Sequence, residues 1–139
     1  MTVPTQPVII PIDLEDWLID HLQDLLDARA EPYASGVKVR PTIPNPIPAG
    51  RFIQITRTGG GRLNIRDEKP RFSVNVITSN VQEVKNLSAL VRALVYSLRF
   101  TAPVKDVTEI TGPTQVDDPS GRPWRFMSFE LLARIEVAQ

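Results

Sequence analysis

The sequence predicts an α+β domain: an antiparallel or mixed β-sheet with two amphipathic helices packed on it, in the order α-β-β-β-α-β-β. Three observations lead there. The stretches 14–26 and 84–98 carry apolar residues at helical spacing. The stretches 71–79 and 123–137 alternate apolar and polar residues, as half-buried strands do. Clusters of proline and glycine separate these blocks, and thirteen prolines in 139 residues is a high count.

Residues 1–12 contain Pro4, Pro7 and Pro11 and read as an extended N-terminal arm, because proline fixes φ and lacks an N–H. Asp13 then stands where a side-chain oxygen can cap the first helix, with Glu15 and Asp16 in the turn that favours negative charge. Leu14, Trp17, Leu18, Leu22, Leu25 and Leu26 form its apolar stripe. Asp16, Asp20, Asp24 and Asp27 form an anionic outer side. Like charges at this spacing cost about 0.3 kcal/mol per pair, so the face is either simply solvated or meets something basic.

Gly36–Arg40 is a short strand closed by Pro41, and 41–50 (PTIPNPIPAG) is a proline-rich link. Arg51–Thr58 suits a strand and pairs antiparallel with Arg71–Ser79. Between them, residues 59–70 read as a long Arg/Gly loop. Ser79 or Asn80 caps the second helix, with Gln82 or Glu83 placed to complete a capping box. Val84, Leu87, Val91, Leu94, Val95 and Leu98 make its buried stripe. Val104–Thr111 is a further strand, Asp117–Gly121 a turn, and Pro123–Val137 the final strand.

The chemical inventory argues against an enzyme. There is no cysteine, which excludes disulfides and thiolate chemistry, and His21 is the only histidine. One histidine builds neither a usual zinc site nor a Ser/His/Asp triad. Gly59–Gly61 is followed by Arg62-Leu63-Asn64, which is not a phosphate-binding P-loop. Asp106, Glu109, Asp117 and Asp118 match no calcium loop, and no cofactor is implied. No apolar run approaches the roughly 20 residues of a membrane helix. Residues 1–11 lack the pattern of a signal peptide.

Charge is laid out unevenly along a chain of zero net charge. Residues 1–36 hold seven acids and one base, whereas residues 37–71 hold eight bases and two acids. Such a chain can bind copies of itself head to tail and close into a ring, or neutralise itself within one subunit. The basic region 51–71 also admits a small nucleic-acid-binding module, although Phe52 and Phe72 fall at core positions of their strands and not on a stacking platform.

The order of elements, the Arg/Gly segment, the second helix NVQEVKNLSALVRALVYSL, the turn GPTQVDDPSGRPW and the closing strand RFMSFELLARIEV together resemble the tail terminator proteins of long-tailed bacteriophages, also called tail completion or minor tail proteins. The resemblance spans nearly the whole chain and rests on layout, with no catalytic signature. It implies a single domain over 1–139 that forms a homo-oligomer, a hexameric ring, at the head-proximal end of the virion tail. Such a ring stops polymerisation of the tail tube protein and joins the head–tail connector protein. DNA passes through the lumen without being read. A head–tail connector adaptor or stopper of the phage neck is the neighbouring alternative. The interface residues expected on this reading are Arg57, Gly59, Gly60, Gly61, Arg62 and Arg66 in the basic segment and Asp16, Asp20, Asp24 and Asp27 on the first helix.

Overall fold

The computed structural model describes residues 12–134. The expected arm, Ile12 apart, and the last residues of the expected final strand, Ile135–Val137, lie outside the described residues. Helix α1 (Leu14–Asp27) starts at Asp13, whose backbone is extended and whose side-chain Oδ1 accepts from the Asp16 N–H at 3.1 Å. Leu14, Leu18, Leu22 and Leu26 are buried as the periodicity requires. Ile19 joins them, and Trp17 and Leu25 are only half-buried.

Helix α2 (Val81–Ser97) is capped by Asn80, which accepts from the N–H groups of Gln82 and Glu83. The Glu83 carboxylate pairs with Arg51, tying the start of α2 to the start of a strand. Five of the six expected stripe residues are buried within α2. The sixth, Leu98, is buried in the short 3₁₀ turn Leu98–Phe100 that follows.

Among the described residues, five strands form one mixed sheet: β1 (Lys38–Arg40), β2 (Phe52–Arg62), β3 (Asp67–Ile77), β4 (Val104–Gln115) and β5 (Trp124–Arg134). Their spatial order is β1-β2-β3-β5-β4, with β1 parallel to β2 and every other pair antiparallel. The expected element order is therefore the observed one, an α+β fold. Both helices share a core with one face of the sheet, contributed by Ile53 and Ile55, Phe72, Val74 and Val76, and Met127, Phe129, Leu131 and Ala133. Deleting a side chain such as Leu22, wholly buried there, costs about 2–5 kcal/mol. The other face carries polar groups in mutual contact. Trp124 Nε1 donates to Asn75 Oδ1 at 2.8 Å, and Asn75 Nδ2 donates to Gln54 Oε1 at 3.0 Å.

The segment 59–70 is not a long loop. β2 and β3 stay paired through it, with Gly59 opposite Arg71, Gly60 opposite Pro70, Gly61 opposite Lys69 and Arg62 opposite Glu68. A bulge lies between Arg57 and Gly59, where the register steps. Glycines contribute no side chain to a strand pattern, so the sequence hides a ladder that the backbone makes. Only residues 63–66 turn the chain, and β4 likewise runs four residues past its expected end at Thr111.

Candidate interaction surface

The expected interface residues fall into three groups. Arg57 is engaged inside the subunit. Its N–H donates to Glu15 Oε2 of α1 at 2.7 Å, and its guanidinium pairs with Glu68, which is only 5% exposed. This places the start of α1 against the otherwise uncovered edge of β2. A buried acid held by one guanidinium loses its compensation if that partner is removed.

Gly59, Gly60 and Gly61 form the second group, and they differ. Gly60 has φ +83°, and a Cβ there would lie 1.9 Å from the Lys69 carbonyl oxygen, so only glycine fits. A Cβ at Gly59 or Gly61 meets nothing within 4 Å. One of the three glycines is thus demanded by the hairpin and two are not.

The third group is exposed and unpaired. Arg62 and Arg66 flank the hairpin turn, and among the described residues neither makes an ion pair. The same holds for Asp16, Asp20, Asp24 and Asp27 on the outside of α1. Asp16 feels that crowding: Asp13 first, then slight burial, Asp20 and Glu15 raise its carboxyl above the usual carboxylate value. The acidic and basic segments do not neutralise each other at these positions. Three other bases of the segment pair elsewhere, Lys69 and Arg71 with Glu130 and Arg51 with Glu83.

The turn itself is firmly built. Leu63 and Asn64 donate their N–H groups to the Asp67 carbonyl at 3.0 and 3.3 Å. Asn64 Oδ1 accepts from the N–H groups of Arg66 and Asp67 at 2.8 and 2.9 Å. This fixes Leu63 and Ile65 outward, 56% and 65% exposed. Sequence reasoning missed both, although two aliphatics alternating with arginines in a turn, RLNIR, are the signal that could have found them. It also missed Phe100, 80% exposed, with the Arg99 guanidinium 4.8 Å over its ring. No group of three or more metal-ligating side chains converges among the described residues. No helix among them is long and apolar enough to cross a membrane.

No family model matches the chain, and no curated protein matches it. Among solved structures, it is similar to a chain of one described as "Virion of native gene transfer agent (GTA) particle". The two share a fold. The likeness has a TM-score of 0.55 and covers 83% of this chain and 91% of that one, at 16% sequence identity. At that identity the likeness establishes architecture alone.

Proposed function

We propose that this protein is a non-enzymatic structural component of a phage-like virion, and that it works as a ring ending the tail tube. The observation that carries the reading is the shared fold with a chain of a gene transfer agent virion, most of whose length is covered. The sequence resemblance to tail terminators points the same way. The unpaired charges add a physical reason for assembly, because each subunit presents one anionic and one cationic surface that make no ion pair among the described residues. In this reading the ring stops tube growth at the head-proximal end and offers its other face to the connector, while DNA passes through the hole.

The test is electron microscopy of lysates from the parent particle with this gene disrupted. Overlong headless tails beside DNA-filled heads are the expected result, since tube growth would have lost its stop. Tails of normal length that fail to join heads would instead make the protein a connector adaptor or stopper. Normal infectious particles would remove the virion reading altogether.

A further inference from the structure

The hairpin turn does not stand alone at its end of the sheet. Asp67 lies opposite Arg134 and Val104 opposite Ala133, so the β2–β3 turn, the start of β4 and the described end of β5 share that end. Lys105 Nζ on Asp67 Oδ1 at 2.7 Å and the Arg134 N–H on the Pro103 carbonyl at 2.9 Å lock them together. The 3₁₀ turn Leu98–Phe100 leads through residues 101–103 into β4 there. Consequently three of the five exposed large hydrophobics among the described residues, Leu63, Ile65 and Phe100, gather at one end. Arg62 and Arg66 flank the first two in the turn and Arg99 lies over Phe100, and none of the three has an ion pair among the described residues. Exposed apolar groups beside guanidinium groups, which are weakly hydrated, mark a contact surface.

The flank of α1 that borders its buried face has the matching chemistry, with Trp17 and Leu25 partly packed on the core. Trp17, His21 and Leu25 recur every four residues as a half-exposed stripe, with Trp17 and His21 stacked at 4.9 Å between ring centroids. Beside that stripe runs the exposed row Asp16, Asp20 and Asp24. On a helix these two rows are neighbours. One surface is apolar with a cationic border, and the other is half-apolar with an anionic border.

Resting on the ring reading above, we infer that the contact between copies seats the Leu63/Ile65/Phe100 end of one subunit on the Trp17/His21/Leu25 flank of α1 of the next. The arginines meet the aspartates around it. Two different patches make this contact heterologous, so every subunit offers one of each and a closed ring satisfies all of them. The turn is held by its own hydrogen bonds before contact, so little ordering remains for association to oppose. Arg57, bound to Glu15 and Glu68, serves the subunit and not the contact.

The absence of cysteine makes the contact directly testable. Full-length Ile65→Cys and Asp20→Cys chains, one of them carrying a size tag, are mixed and oxidised mildly. The expected product is the mixed disulfide, at least about five-fold over either homodimer, because only unlike patches meet. In parallel, sedimentation of Arg62→Glu/Arg66→Glu and of Asp20→Lys/Asp24→Lys should each show self-association weakened about ten-fold or more, with mixed complexes restored on combining the two. All five substituted positions are exposed, so these chains fold. A random distribution of disulfides while the unmodified protein sediments as an oligomer overturns this contact and leaves the ring reading standing. Random disulfides with an unmodified protein that stays monomeric at every concentration overturn both.

Discussion

Where Phe52 faces Ile77, Arg122 donates to three carbonyl oxygens, those of Thr78, Pro48 and Gly50, at 3.1, 2.8 and 2.9 Å. At the opposite end of the same sheet, Arg62, Arg66 and Arg99 reach no acid among the described residues and stand among exposed Leu63, Ile65 and Phe100. The first arginine draws the proline-rich link and the turn before β5 onto the sheet and closes that end. The other three close nothing. A guanidinium that satisfies buried carbonyls is part of the fold, whereas one left in solvent beside apolar groups is available to a partner. The difference tells the two roles apart better than net charge does.

The largest expected effect attacks the backbone that carries the open end. Gly60→Ala places a methyl against the Lys69 carbonyl and demands φ +83° of a residue with a Cβ. It should destabilise the protein by about 3–5 kcal/mol in urea unfolding. Gly59→Ala and Gly61→Ala, which meet open space, should stay within about 0.5 kcal/mol of the parent. Equal losses at all three positions would mean that the hairpin is not paired as described.

Next comes the closed end. Arg122→Ala removes three charge-assisted hydrogen bonds from partly buried carbonyls and should cost about 2–4 kcal/mol. Trp124, two residues away and bonded to Asn75, should report the loosening as a change in fluorescence. A much smaller effect follows at the open end. Leu63→Ser/Ile65→Ser should alter stability by no more than about 0.5 kcal/mol, because both side chains are already in solvent. Its consequence should appear in assembly alone, measured by sedimentation.

The fold was legible where side chains carry the pattern. Both helix stripes, the Asp13 and Asn80 caps and the alternation of Met127, Phe129, Leu131 and Ala133 are local signals that the tertiary structure leaves in place. Where backbone carries it instead, the reading failed. Gly59–Gly61 continue a strand through main-chain pairing that no side chain announces, and β4 resumes its pairing at Thr114 and Gln115 beyond an irregularity at Gly112 and Pro113. The surface was legible in charge and not in shape. The anionic row on α1 and the arginines at 62 and 66 could be picked out. That Arg57 is bound to Glu68, and that Phe100 comes to the same end as Leu63, depends on the order β1-β2-β3-β5-β4, which sets distant segments side by side.

The finest test compares two carboxylates in acid. The hydrogen bond from Lys105 holds the Asp67 carboxyl below the usual carboxylate value, so its contribution to stability is complete above the unfolded-state pKa and is lost as pH falls through the folded one. Asp16 has the reverse sign. Repulsion from Asp13, foremost, raises its folded-state pKa, so between the unfolded and folded values the native state binds more protons and gains stability as pH falls. Asp67→Asn should therefore lower the urea midpoint at neutral pH, with the deficit shrinking in acid. Asp16→Asn should raise that midpoint slightly, with the gain vanishing as pH falls through the same region. If the row on α1 serves a neighbouring copy, Asp16→Asn also weakens self-association while it steadies the subunit. A carboxylate whose removal helps the monomer and harms the assembly is the clearest sign that the repulsion on this helix is kept for a partner.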